Sequence, residues 1–196
     1  MSLFFETIKI QNQQIFNIDE HNQRLNKTIY DIYHKKSFIN LKQLITPPKD
    51  NKLYRCKVTY NTTIQNINFY PYNTKKIQSF KILLSDINYS YKSTNRDNIN
   101  LLFQQKNDMD DILIIDKNML LKDTSIANIA LKINGIWKTP KKPLLKGTIR
   151  AYLLKKHFLQ EEELKLDDIY KLESFAIMNA MIGFKIIKNP KFDLNI

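Results

Sequence analysis

The dipeptide Asn134-Gly135 places the firmest constraint on how this chain folds. It stands between Ser125–Ile133, in which apolar and polar residues alternate, and the dipeptide Ile136-Trp137. Asn-Gly is typical of the tightest β-hairpin turn, because both central residues of that turn need a positive φ. The alternation before it is typical of a strand with one buried face. The stretch therefore predicts an antiparallel hairpin.

Short strand and helix patterns alternate along the rest of the chain. Predicted strands cover Leu3–Ile10, Leu53–Tyr60, Ile64–Tyr70, Ile77–Leu84, Ile112–Ile115, Phe175–Met181 and Phe184–Ile187. Predicted helices run from an N-cap at Asp19 to about His34, over Asn40–Ile45 and Asn95–Gln105, from a cap at Thr148 to about Phe158, and over Asp167–Leu172. This mixture predicts an α/β (α+β) protein, which we expect to divide into residues 1–88 and 89–196.

Composition excludes several classes of function. The 196 residues are 43% hydrophobic, enough for a real core, and no apolar run approaches the ~20 residues of a membrane span. The net charge of +12 comes from lysines scattered along the chain, which indicates a solvated surface and not a nucleic-acid site. One cysteine and three distant histidines predict no metal site. Without a basic leader, we expect a cytoplasmic, metal-free protein that handles a small anionic substrate.

Three chemically useful elements follow one another between Tyr91 and Arg150. Lys92 stands directly before a helical pattern, and Asp123 belongs to an acidic strand pair. Gly147, one of only three glycines, precedes a helix, whose bare amides can approach an anion. Each element alone is typical of an ordinary surface or turn residue, so only their joint order points to a site.

That order resembles the class IV aminotransferases, the fold-type IV pyridoxal phosphate enzymes, and most closely the aminodeoxychorismate lyases among them. The similar segments are His21-Asn-Gln-Arg24-Leu25, Lys92-Ser-Thr-Asn95-Arg96, Asp123-Thr-Ser-Ile-Ala-Asn128, Leu145-Lys-Gly147-Thr148-Ile-Arg150 and Asn179-Ala180. Two positions depart from the pattern. Asp123 stands where the family usually has glutamate, and the tyrosine that transaminases carry after the lysine is replaced here by Arg96 or Asp97.

The resemblance implies a two-domain fold, with a small N-terminal α/β half and a larger pseudo-barrel C-terminal half. It implies pyridoxal 5′-phosphate as cofactor and a homodimer. It also implies a role for each matching residue: Lys92 as the Schiff-base lysine, Arg24, Gly147 and Thr148 at the phosphate, Asp123 at the ring nitrogen and Asn128 beside the cofactor.

The strand Leu53–Tyr60 supplies a candidate substrate contact. Tyr54, Cys56, Val58 and Tyr60 would face the core, so Arg55 and Lys57 face solvent or a cavity. An exposed surface strand is the alternative. The substrate of the aminodeoxychorismate lyases, which the resemblance implies, carries two carboxylates, and Arg55 and Lys57 are the candidate cations for binding them.

Three functions remain open on the sequence. The first is a pyridoxal phosphate-dependent lyase that eliminates pyruvate from 4-amino-4-deoxychorismate. The second is a transaminase of the same fold that acts on branched-chain or D-amino acids. The third, favoured by charge alone, is a non-enzymatic basic binding protein.

Overall fold

The computed structural model describes residues 2–195, which fall into two compact units. Unit 1 contains the chain up to residue 74 together with residues 91–95, and unit 2 contains residues 75–90 and the chain from residue 96. Within the described range, no helix has the length and apolar character needed to span a membrane. The mixed α/β class is confirmed. The single division predicted at 88/89 stays a prediction.

Unit 1 is a four-stranded antiparallel sheet covered on one face by a helix. The strands are β1 (Phe4–Gln11), β2 (Gln14–Ile15), β3 (Tyr54–Tyr60) and β4 (Ile64–Pro71), in the order β2-β1-β3-β4. The helices are α1 (Ile18–Tyr33) and the short α2 (Leu41–Leu44). Alternate residues of β1 and β3 pack on α1, because successive side chains of a strand point to opposite faces.

Unit 2 is built on a larger branched sheet. Its strands are β5 (Ser79–Leu84), β6 (Asp111–Ile115), β7 (Leu121–Thr124), β8 (Asn128–Ile133), β9 (Ile136–Pro140), β10 (Gln160–Glu162), β11 (Ser174–Asn179), β12 (Gly183–Ile187) and β13 (Lys191–Asp193). The order is β10-β9-β8-β7-β6-β5-β13, and β11 joins β8 to β12. The helices are α3 (Asp97–Gln104), α4 (Thr148–Lys155) and a 3₁₀ helix (Leu166–Lys171).

The predicted hairpin is confirmed. Ile133 pairs with Ile136, and the turn between them has φ values of 53° at Asn134 and 76° at Gly135. The strand predicted before it is wrong at its start, because residues 125–127 form a turn between β7 and β8. The hydroxyl of Thr124 accepts hydrogen bonds from the amides of Ile126 and Ala127 and closes that turn.

Both predicted N-caps are wrong by one or two residues. Helix α1 begins at Ile18 after Asn17, so Asp19 lies in the first turn, where a carboxylate favours the positive end of the helix dipole. Helix α4 begins at Thr148 after Gly147, with no side-chain capping bond. Thr148 is therefore a buried first residue of the helix and not its cap.

Candidate functional site

A buried carboxylate lies at the centre of unit 1. Glu6 follows the inward alternation of Phe4 and Ile8 on β1 and is fully buried against α1. Its oxygens contact His21 Nδ1 at 2.5 Å and Arg24 Nε at 2.9 Å, and a terminal guanidinium nitrogen of Arg24 donates to it as well. Burial would raise the pKa of Glu6, but the Arg24 charge and the His21 hydrogen bond outweigh it and lower the pKa to about 2. Glu6 is therefore ionised and can only accept hydrogen bonds.

These contacts fix both of its partners. Because Glu6 only accepts, Nδ1 of His21 carries the proton of that hydrogen bond. Burial lowers the pKa of His21, although Glu6 offsets part of the effect, so the ring is neutral near pH 7. Its other nitrogen, Nε2, is buried without a hydrogen-bond partner among residues 2–195. Two guanidinium nitrogens of Arg24, the predicted phosphate ligand, donate to the Glu6 carboxylate, and this restricts the rotamers of the Arg24 side chain.

Lys92 belongs to a strip that pairs with the first residues of β1. The amide of Phe5 donates to the Lys92 carbonyl at 2.9 Å, and the amide of Thr94 donates to the Leu3 carbonyl at the same distance. The Lys92 ammonium lies 4.8 Å from the centre of the Phe5 ring, and the Lys57 ammonium lies 5.3 Å from the same centre. Unit 1 thus brings the predicted Schiff-base lysine and a predicted substrate residue onto one ring.

The alternation predicted for β3 is confirmed. Cys56, Val58 and Tyr60 are fully buried, whereas Arg55 and Lys57 lie on the opposite face, with Arg55 exposed. A substrate role for these two cations stays a prediction.

A second buried carboxylate lies in unit 2. Asp123 is the penultimate residue of β7, and its cross-strand partner is Asn128, the first residue of β8. One oxygen of Asp123 accepts from Asn128 Nδ2 at 2.8 Å, and the other accepts from the Leu145 amide at 2.9 Å. Burial raises the pKa of Asp123 to about 6, although Asn128, the Leu145 amide and the charge of Arg150 each act to lower it. A cation at this carboxylate would therefore be strongly favoured.

Asn128 connects that carboxylate to the start of α4. Its Nδ2 also donates to the Leu145 carbonyl at 2.7 Å. A Cβ at position 147 would lie 2.0 Å from its Oδ1, so only glycine fits where the loop crosses Asn128. Thr148 follows as the first residue of α4, and the amides of that first turn have no carbonyl four residues earlier in the helix. Asp123, Asn128, Gly147 and Thr148 are thus one connected structure, as their joint order suggested.

The turn at residues 125–127, which places Asp123, is held from three sides. Arg96 donates to the Ser125 carbonyl at 2.8 Å, and the buried carboxylate of Asp111 accepts from the Ser125 amide at 3.3 Å. The Asn179 side-chain amide donates to the Ile126 carbonyl at 3.2 Å. Two residues singled out by sequence motifs, Arg96 and Asn179, therefore act here by positioning the loop behind Asp123.

The residues present fit pyridoxal phosphate. The carboxylate of Asp123 is buried and forms no ion pair within the described residues, which suits a protonated ring nitrogen. The glycine at position 147 and the bare amides of α4 suit a phosphate. Unit 1 carries four of the predicted residues, Arg24, Arg55, Lys57 and Lys92, and unit 2 carries the other four.

The sequence motifs did not reveal the role of Glu6. The period of β1 already placed it inward with Phe4 and Ile8, and an inward acid implies a buried cationic partner. Its partners Arg24 and His21 lie 18 and 15 residues away, so the pairing itself required the packed structure.

Comparisons with known proteins agree over nearly the whole chain. The model of the amino-transferase class IV family matches residues 3–189. A Haemophilus influenzae Rd protein of uncharacterised function is 37% identical over 184 residues, which cover 91% of this chain and 97% of its own. The crystal structure of a "putative 4-amino-4-deoxychorismate lyase" from Haemophilus somnus 129PT is 34% identical, with a TM-score of 0.85 over 93% of this chain and 98% of that one. A Mycobacterium tuberculosis hypothetical aminotransferase in its PLP-bound form has a TM-score of 0.81 over 98% of this chain and 81% of that one, but at 11% identity it shows the fold alone.

Proposed function

Because this chain belongs to the class IV aminotransferase family of pyridoxal phosphate-dependent enzymes, we propose that it is an aminodeoxychorismate lyase. The reaction eliminates pyruvate from 4-amino-4-deoxychorismate and leaves 4-aminobenzoate, a precursor of folate. Family membership decides against a non-enzymatic basic binding protein. A cytoplasmic location and a homodimer remain expectations of the same proposal.

One observation carries the choice of a lyase with a dianionic substrate. The ammonium groups of Lys57 and Lys92 lie against the same Phe5 ring, so the predicted reacting lysine is bordered by a cationic sheet face. The 34% identity to the Haemophilus somnus protein supports the same choice. The replacement of the transaminase tyrosine by Arg96 or Asp97, together with Asn179-Ala180, also favours a lyase over a transaminase.

Each predicted cofactor residue would have its own role in this reaction. Lys92 would hold the aldehyde carbon of the cofactor, Arg24 with Gly147 and Thr148 its phosphate, and Asp123 its ring nitrogen. When bound, the cofactor supplies a ring that accepts electron density from the substrate carbon that carries the amine. Asp123 holds the proton at the ring nitrogen, since the buried carboxylate is stabilised by the positive charge that this proton creates.

Lys92 performs the proton transfers in this proposal. Once the substrate amine has taken the place of Lys92 at the cofactor, Lys92 Nζ would be able to take the proton from the amine-bearing carbon. The carbon–oxygen bond to the side chain breaks, enolpyruvate leaves, and the ring becomes aromatic. Enolpyruvate takes up a proton and becomes pyruvate. The Phe5 ring lies beside the Lys92 ammonium that would make these transfers.

Pyruvate release from 4-amino-4-deoxychorismate tests the proposal. The purified holoenzyme should release pyruvate and 4-aminobenzoate in equal amounts without any keto acid, and Lys92→Ala should abolish both. Conversion of an added amino donor and keto acid, without pyruvate release, would show a transaminase instead.

The two predicted substrate residues have a separate test. Arg55→Ala should raise the Michaelis constant strongly and leave the visible spectrum of the bound cofactor unchanged, because the cofactor is held elsewhere. Lys57→Ala should behave in the same way. Wild-type kinetics in both variants would show that Arg55 and Lys57 only face solvent.

A further inference from the structure

Asp123, Asn128 and Leu145 form a closed cycle of three hydrogen bonds within unit 2. Asn128 Nδ2 donates to Asp123 Oδ1 at 2.8 Å and to the Leu145 carbonyl at 2.7 Å, and the Leu145 amide donates to Asp123 Oδ2 at 2.9 Å. A side-chain amide has two N–H donors, so these bonds use both donors of Asn128. The orientation of the Asn128 amide is thereby fixed, because the reversed amide would place its oxygen against a carboxylate and a carbonyl.

This cycle fixes the direction of the Asp123 carboxylate. One of its oxygens accepts a hydrogen bond from the first residue of β8, and the other accepts one from the loop before α4. The terminal torsion of an aspartate has a broad energy minimum, so the two bonds select one direction for the carboxylate plane. An ionised carboxylate offers about four lone-pair sites, and the two bonds of the cycle leave acceptor capacity for a further donor.

Gly147 is a glycine because of Asn128. Its φ of −71° and ψ of 151° are ordinary for any amino acid, so the backbone itself does not require glycine there. The three heavy atoms nearest to a Cβ at this position all belong to the Asn128 side chain, and the nearest would lie at 2.0 Å. The close approach of the loop to Asn128 is what brings the Leu145 peptide group onto both Asn128 and Asp123.

The hydrogen bonds of the cycle favour the ionised form of Asp123. Burial raises the pKa of this carboxyl, and the hydrogen bond from Asn128 is the largest of the effects that act against burial. The amides of Leu145 and Leu144 and the charge of Arg150 on α4 act in the same direction as Asn128. Among these groups only Arg150 carries a charge.

We propose that Asn128 is a positioning residue that acts through Asp123. Asn128 directs the Asp123 carboxylate and keeps it ionised, so that the carboxylate can hold the protonated ring nitrogen of the cofactor. Gly147 provides the room that this arrangement needs. The identity of the group that meets Asp123 rests on the proposed function, whereas the cycle of hydrogen bonds does not.

A carbon-13 NMR titration of the full-length, cofactor-free chain, with labelled aspartate carboxyl groups, tests the proposal. The Asp123 signal is the one that disappears in Asp123→Asn. Its midpoint should be about one pH unit higher in Asn128→Ala than in the wild type, the size of effect expected for one hydrogen bond to a charged group. Asn26→Ala is the matched control, because the Asn26 side chain bonds Ser37 and Ile39 in unit 1. This control should lose stability and keep the wild-type midpoint.

Gly147→Ala breaks the same contact by a second route. It should raise the midpoint to a similar extent by displacing the Asn128 side chain. The double variant Asn128→Ala/Gly147→Ala should raise it no further, because the atoms that the new Cβ would meet are gone. Additive shifts, or a midpoint in Asn128→Ala equal to that in Asn26→Ala, would overturn the proposal. If Asn128→Ala does not fold, an unchanged midpoint in Gly147→Ala would overturn it as well.

The outcomes separate this inference from the proposed function. Equal, non-additive shifts in a chain that releases no pyruvate would support the positioning role of Asn128 and refute only the lyase assignment. Addition of the cofactor to the wild type at pH 5 should move the Asp123 signal to its ionised position, because a positive ring nitrogen favours the carboxylate. A signal that stays in the protonated position would overturn the link from Asn128 through Asp123 to the cofactor.

Discussion

Asp123→Asn should change how the stability of the cofactor-free protein depends on pH. Burial raises the pKa of this carboxyl from 3.8 to about 6, so the folded state binds its proton more tightly than the unfolded state does. The stabilisation is fully present below the unfolded pKa and is lost as the pH rises through about 6. Asparagine has no such ionisation, so this contribution disappears in the variant.

The size of the effect follows from the two pKa values. At pH 5 the folded carboxyl is largely protonated and the unfolded one is largely ionised, which stabilises the fold by about 1 kcal/mol relative to pH 8. At pH 4 the same comparison gives about 2 kcal/mol. Other titrating groups, including the buried Asp111, contribute equally to both proteins and cancel in the comparison.

Urea unfolding of both proteins at pH 5 and pH 8 measures this difference. Relative to the variant, the wild type should lose about 1 kcal/mol of unfolding free energy between the two pH values. Parallel pH dependences would mean that Asp123 is not a buried ionising group. In the holoenzyme, Asp123→Asn should still bind the cofactor while turnover falls severely, and near-normal turnover would remove Asp123 from the mechanism.

Three further outcomes follow from the candidate site. Borohydride reduction of the holoenzyme should attach the cofactor to the peptide that contains Lys92, and a label on any other lysine would contradict that assignment. Arg24→Ala should weaken cofactor affinity at least roughly tenfold. Arg24→Lys keeps a cation beside Glu6 and therefore controls for loss of the fold. Unchanged affinity in both variants would show that Arg24 has only a structural role. Gly147→Ala should displace the Asn128 side chain. Loss of the two hydrogen bonds that Asn128 donates should lower the free energy of unfolding by about 2 kcal/mol and weaken cofactor binding. Thermal unfolding and cofactor titration measure the two effects.

Structural features that depend only on neighbouring residues could be predicted from the sequence. The hairpin at Asn134-Gly135 needs only two residues with positive φ, and the two faces of β3 need only a period of two. Glu6 also faced inward by its period, but its ion pair with Arg24 depends on how α1 packs on the sheet.

The missed features depend on distant contacts. Alternation continues through residues 125–127, so nothing local marks the turn there, and the Asn179 side chain that holds it lies 53 residues away from Ile126. Strand β13 is only three residues long and carries no strand signal. It forms because Phe192 packs on Phe80 and Phe175, and because Lys81 pairs with Asp193, 112 residues later.

The path of the chain limits how such a protein can be recombined with its relatives. Residues 91–95 belong to unit 1, yet they are bounded on both sides by segments of unit 2. A gene fusion cut after residue 74 would take β1 from one parent and its Lys92 partner strip from the other. The bonds of Phe5 and Thr94 across that strip would then join unmatched sequences. Chimaeras of this family should therefore keep β1 and residues 91–95 from the same parent, so that Lys92, the predicted Schiff-base lysine, is inherited with the strand that its backbone pairs with.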